Sequence, residues 1–173
     1  FTRPSLGKTP VLCNDTPAFI ANRVGVFSMA AIFKLQQEIG LSISEIDSLT
    51  GTLIGKPKSA TFRTADVVGL DTLIKVANGV YEFCPNDASR DTFKVPDYVL
   101  KMEANKWLGD KTGQEFYKKT TVDGKKVILE LDLNTLEYKA SDKTKFASVG
   151  EAKLVDSLRA RLKILAKGKD SAA

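Results

Sequence analysis

Apolar residues recur at helical spacing through the first two thirds of the chain and alternate with polar ones only beyond it. A short apolar run ends at Cys13, and in the polar break that follows Asp15 or Thr16 can accept hydrogen bonds from a first helical turn. Pro17 suits the opening helical position, so a long helix is predicted from Pro17 to about Ile39, stopped by Gly40. Phe19, Ile20, Val24, Phe27, Ala31 and Leu35 fall near one stripe of it, while Val26, Met29 and Ile32 make it apolar on more than one face. Such a helix is central to a bundle or lies in an interface. Ser44 is a natural cap for a second, short helix.

A loop with two glycines and a proline, 51–59, leads to a brief helix ending at Gly69. Another helix is predicted from near Asp71 through Tyr81, with Leu70, Leu73, Ile74, Ala77 and Tyr81 inward. Pro85 breaks it, and Pro96 with Asp97 begins one more, so 17–108 read as four or five helices. Past Gly109 the period drops to two. Segments 116–121 and 127–133 flank Asp123-Gly124, a strong hairpin-turn dipeptide, and a third strand-like piece covers 135–139. Ser148-x-x-Glu151 spells a capping box, after which Leu154, Leu158, Leu162 and Leu165 line one basic helix reaching Lys167. The pattern predicts a mainly α fold: a helical bundle with a small β-hairpin and a C-terminal linker helix.

Composition narrows the function classes. The chain has 173 residues, 43% hydrophobic and 27% charged, the proportions of an ordinary globular protein. No run approaches the roughly 20 apolar residues of a membrane helix, so no membrane partner is expected. The start, Phe1-Thr-Arg-Pro, has no initiator Met and no signal pattern, which reads as a segment of a longer chain. Two distant cysteines, Cys13 and Cys84, point to a reducing, cytoplasmic setting; with no histidine at all, no metal site is expected. The absence of histidine also excludes Ser-His-Asp and Cys-His catalysis and every His general base. A net charge of +5 suits a phosphate-bearing cofactor such as coenzyme A, but the cations are scattered among acids, and no cluster or motif marks a nucleic-acid partner.

Asn22 is the residue with chemistry. An amide on an apolar helix needs a hydrogen-bond partner, supplied by a neighbouring loop carbonyl or by a ligand. The phrase Asp15-Thr-Pro-Ala-Phe-Ile-Ala-Asn-Arg23 resembles the linker and first substrate-domain helix of 3-hydroxyacyl-CoA dehydrogenases. Gly55-Lys-Pro-Lys-Ser-Ala-Thr-Phe, continuing to Asp66-Val-Val-Gly-Leu-Asp, resembles the family's proline- and glycine-bearing loop and the motif after it. Trp107-Leu-Gly-Asp-Lys-Thr-Gly-Gln-Glu-Phe-Tyr resembles its closing Gly-x-Lys-Thr-Gly-x-Gly-Phe-Tyr. The three motifs keep the family's order over residues 7–118.

The resemblance implies a bundle of the 6-phosphogluconate dehydrogenase C-terminal type, and an NAD-linked oxidation of a 3-hydroxyacyl-CoA in fatty-acid β-oxidation. It implies that Asn22 supports catalysis by holding the substrate oxygen and positioning a His that sits, with its Glu, in a Rossmann domain. Pro57 and Ser59 are the implied substrate-binding residues. No glycine fingerprint follows a strand, so NAD is expected in the parent enzyme and no cofactor in this segment, which alone should be inactive. The implied boundaries are a linker end at 1–15, the helical domain at 16–119, and a hairpin with linker helix at 120–173, leading to a further domain. The implied partners are acyl-CoA, the parent's Rossmann domain and a second copy through the helical domain. Two departures stand out: the Lys58-bearing loop, and Glu115 where the family motif has glycine. The tail resembles the multifunctional branch, in which an enoyl-CoA hydratase domain follows. The competing reading is a stand-alone acyl-CoA-binding or scaffold module without catalysis.

Overall fold

A computed structural model describes residues 2–122, 124–141 and 145–170. A one-turn helix, α1 (Thr2–Leu6), precedes an exposed stretch, 7–16. The helical part then comprises α2 (Ala21–Ile39), α3 (Ile43–Leu49), α4 (Phe62–Val68), α5 (Leu70–Phe83) and α6 (Asp97–Ala104). Three antiparallel strands follow, β1 (Tyr117–Val122), β2 (Lys125–Leu131) and β3 (Tyr138–Ala140), in the order β1-β2-β3. Two short helices, α7 (Ala147–Lys153) and α8 (Leu158–Leu165), complete the mainly α fold. No helix among the described residues is long and apolar enough to cross a membrane.

The two predicted glycine stops hold. Gly40 ends α2 at φ 69°, where only a residue without a Cβ sits free of strain, and Gly69 lies at φ 91° between α4 and α5. The predicted starts fare less well. Pro17 does not open α2, because Ala18 and Phe19 adopt positive φ and fold 16–20 into a turn. Ala18 thereby packs against α5, and α2 begins at Ala21 with no side-chain cap. Ser42, not Ser44, caps α3 through a reciprocal capping box with Glu45. Ser44 instead gives its N–H to Glu130 of β2, 3.0 Å away.

Three phenylalanines, each 0% exposed, form the centre of the core: Phe33 of α2, Phe62 of α4 and Phe116 before β1. Their ring centroids lie 4.8–5.3 Å apart, favourable aromatic spacing. Leu131, Leu133, Phe146, Val149 and Ala152 join the same cluster, so the sheet and α7 close the core that the helices begin. On α2 the buried residues are Val26, Ala30, Phe33 and Gln36. Phe19, Ile20, Val24, Leu35 and Ile39 remain exposed, so most of the stripe legible in the sequence faces solvent. Periodicity reveals that a stripe exists, but only the packing partners decide which stripe is inside.

The strands β1 and β2 meet across 123–124, with Val122 opposite Lys125; Asp123 of the predicted turn lies outside the described residues. The predicted single helix to Lys167 is broken. Leu154 and Val155 close α7 with tight i→i−3 bonds, and the chain reverses before α8. This lays Leu158 against Gly55 and α8 against the 3₁₀ turn Thr52–Ile54, burial that a straight helix would forgo. Ser148 is no N-cap either: it lies inside α7, and Asp170 receives both its N–H and its hydroxyl at 2.8 Å. Asp170→Ala should cost about 1 kcal/mol of stability, with faster amide exchange confined to α7 and α8. Unchanged exchange there would show that the cap holds nothing.

Candidate functional site

The turn 16–20 delivers the chain to α2 so that Asn22 stands in its first turn, exposed. Arg23 fixes that turn. Its guanidinium reaches across to Asp87, beyond the end of α5, with Nε 3.0 Å from Oδ2 and Nη2 on the same oxygen. The pairing raises the Arg23 pKa and holds the Asp87 carboxyl below its usual value, the direct hydrogen bond being the main cause in both. Asn22, by contrast, is exposed. No described residue hydrogen-bonds its side-chain amide, and no side chain caps the helix end beside it. A bare neutral donor and the positive end of a 19-residue helix therefore face solvent together.

The second predicted group lies on the loop between α3 and α4. Gly55 there sits at φ 79°. Lys56 ties the loop back to α2 by donating to the Ser28 hydroxyl at 2.7 Å, and Ser28 is six residues, about 9 Å of helix axis, from Asn22. Pro57 is exposed and accepts the Ala60 N–H at 2.9 Å. Ser59 is half-buried, accepts the Thr64 hydroxyl at 2.8 Å and lines a cleft of about 300 Å³ with Arg63, Asp66, Tyr117 and Lys119. Asn22 does not line that cleft. The fold brings Pro57 and Ser59 together and sets Asn22 apart from them, linked through Lys56 and α2.

Four buried or half-buried acids lie in this region, and three of them hold it in shape. Asp47 of α3 accepts the N–H groups of Thr61, Phe62 and Arg63 at 2.7–3.1 Å, and so caps α4 from a neighbouring helix. The Tyr117 hydroxyl donates to the same carboxylate at 2.9 Å, and Arg63 lies 4.1 Å over the Tyr117 ring. Asp66 receives the N–H groups of Phe116 and Tyr117 at 2.9 and 3.2 Å, joining α4 to the start of the sheet. Burial nonetheless pushes its carboxyl up to about 7. Glu130 receives Ser44.

Glu115 differs from the other three. It is 0% exposed, and neither carboxyl oxygen has a hydrogen-bond partner among the described residues. Burial, and then the neighbouring Asp66 and Asp71 charges, push it up to about 9, against a weaker pull from Lys111. The carboxyl fits only because residue 109 is glycine, at φ 101°. A Cβ there would collide with the Asp66 carbonyl and stand 2.7 Å from Glu115 Oε2. The Glu115 departure was visible in the sequence; its burial was not, because the side chain follows a glycine-rich stretch that reads as a surface turn.

The family described as “3-hydroxyacyl-CoA dehydrogenase, C-terminal domain” matches residues 19–119. A Bacillus subtilis protein named as a 3-hydroxyacyl-CoA dehydrogenase is 43% identical over 167 residues, 96% of this chain and 20% of its own length. A Rickettsia felis protein named as a fatty acid oxidation complex trifunctional enzyme is 30% identical over 94% of this chain and 23% of its own length. The crystal structure of (S)-3-hydroxybutyryl-CoA dehydrogenase PaaH1 from Ralstonia eutropha superposes with a TM-score of 0.56 at 28% identity, covering 63% of this chain and 37% of that one. The chain thus spans about a fifth of the length of these two curated relatives.

Proposed function

The chain belongs to the 3-hydroxyacyl-CoA dehydrogenase family, as its C-terminal domain, and on that premise we propose that it is the substrate-binding part of an NAD-linked 3-hydroxyacyl-CoA dehydrogenase. The observation that carries this reading is the unpartnered amide of Asn22 beside the uncapped start of α2. Oxidation at C3 turns a hydroxyl into a carbonyl: the hydroxyl proton goes to a base, and the hydrogen on C3 would leave as hydride to a bound nicotinamide. Asn22 holds the substrate oxygen by donating its side-chain N–H, and helps position the base. An amide does not titrate, so it stabilises and orients without taking the proton. The base is a His–Glu pair from the cofactor domain of the whole protein.

The nicotinamide cofactor supplies the hydride acceptor when bound. The described residues here do not fit it: their strands form one antiparallel sheet, without the parallel strand–helix–strand unit whose glycine-rich turn cradles a pyrophosphate. Residues 16–119 are then the substrate domain, Pro57 and Ser59 border the acyl chain, and 120–173 pass the chain on to a further domain in a multifunctional parent. The exposed apolar face of α2, with Ile20, Val24, Leu35 and Ile39, supports pairing with a second copy. The two thiols are unpaired, Cys13 exposed and Cys84 half-buried, which supports a reducing, cytoplasmic setting.

Reconstitution tests the reading. The chain alone, given 3-hydroxybutyryl-CoA and NAD, should form no NADH, and a separately expressed cofactor domain of the family should restore turnover. Turnover by the chain alone would place the base within it and overturn the assignment. Acyl-CoA binding that no cofactor domain converts to turnover would make it a stand-alone binding module.

A further inference from the structure

A second, smaller cleft of about 240 Å³ opens between the loop after α3 and the α7–α8 hairpin. Three cations from separate segments line it: Lys58 of the loop, Lys153 of α7 and Arg161 of α8. Lys58 and Lys153 are exposed, and neither forms an ion pair with a described residue. Arg161 is held in place by neutral groups, with Nη1 donating to the Thr52 carbonyl at 2.9 Å and Nη2 to the Asp156 carbonyl at 3.2 Å. Its Nε–H is buried and meets no partner. A buried donor on a charged group is costly to leave unmet, so the guanidinium is oriented yet unsatisfied.

The single acid lining this cleft cannot balance its three cations. Asp47 lines one side, but its two oxygens already receive three backbone N–H groups and the Tyr117 hydroxyl. The Ser48 hydroxyl donates to Glu45 of its own helix. Three cations therefore line one cleft, and none of them forms an ion pair with a described residue.

We propose that this cleft binds a phosphate group. A guanidinium fixed by two neutral carbonyls and two exposed ammonium groups match the several acceptor oxygens of a phosphate. The volume falls below the 300–1,000 Å³ typical of whole small-molecule ligands, which suits the phosphate end of a molecule or the free anion. Because the three cations belong to the loop, α7 and α8, the bound anion would clamp the hairpin onto the helical part. This inference is independent of the role given to Asn22, since none of these residues lies on α2.

Thermal melting of the 173-residue chain tests it, with inorganic phosphate, coenzyme A and dephosphocoenzyme A each set against potassium chloride of equal ionic strength. Inorganic phosphate should raise the midpoint by the mass-action amount for a bound ligand. The double substitution Lys58→Gln, Lys153→Gln should weaken that binding by about tenfold or more. It should leave the midpoint in chloride unchanged, because both side chains are exposed. A larger rise with coenzyme A than with dephosphocoenzyme A would identify the ligand as the 3′-phosphate end of that molecule. A rise with inorganic phosphate alone would identify the free anion. A rise matched by chloride, one that survives the double substitution, or no rise with any phosphate would each overturn the proposal.

Discussion

Glu115→Gln should raise the melting temperature of this chain at neutral pH and flatten its dependence on pH. In the unfolded chain this carboxyl titrates near its ordinary value of 4.5, whereas in the folded state it is pushed up to about 9. The folded state therefore binds the proton more tightly. Stability from this group is complete below the unfolded value and is lost as pH rises between the two. At 1.36 kcal/mol per pH unit, the loss by pH 7 is about 3 kcal/mol. Asp66 adds to it in the same direction, since its carboxyl is also raised, to about 7. Glutamine has the same shape and carries no charge to bury. For a chain of this size the gain corresponds to roughly 6–12 °C. Melting curves of both proteins at pH 5, 6, 7 and 8 give the answer. Wild type should lose stability more steeply than the variant, which keeps only the shallower slope due to Asp66, the two converging toward pH 5. A difference independent of pH would mean that Glu115 is solvated and ionised. The cost borne at Glu115 is concentrated where Gly109 leaves just enough room for a carboxyl.

Asn22→Ala in the enzyme joined to its cofactor domain should lower kcat by about 10²–10³-fold with a small change in KM, as for loss of one oriented donor to a developing oxyanion. The physical ground is that Asn22 has no hydrogen bond to lose within this chain and is exposed, so truncation removes only what it does for a ligand. The melting temperature should stay within about a degree, as for surface substitutions away from packed or bonded groups. Asn22→Asp should fare no better, because a carboxylate offers no donor and places negative charge where the substrate oxygen becomes electron-rich. A rise in KM with kcat intact would assign Asn22 to ground-state binding only. A fall in kcat accompanied by an equal fall in stability would make it a structural residue.

How much of this was legible beforehand varied with how local the determining physics is. Gly40 and Gly69 are legible in the sequence as helix stops, because the demand for positive φ is satisfied by one residue wherever it sits. The apolar helices and the alternating strands were legible for a related reason: side-chain period follows from backbone geometry. Asn22 is legible through the motif around it, and the structure leaves its amide exposed and without a partner among the described residues. The starts of α2 and α3 were misplaced because their partners are distant: Ala18 answers to α5, and Ser44 to Glu130, 86 residues away. The break between α7 and α8 likewise follows from Gly55 and the turn 52–54 lying beneath Leu158.

The sequence by itself determined the helical or extended character of the main segments, the glycine stops and the family motifs, since each depends on residues within about a turn of one another. Tertiary structure alone decided which stripe of α2 is buried, that Asp47 caps a helix other than its own, and that Glu115 is sealed without a partner. It alone gathered Lys58, Lys153 and Arg161 into one cleft. Burial and charge are properties of what surrounds a side chain, and those surroundings are assembled from segments more than a hundred residues apart.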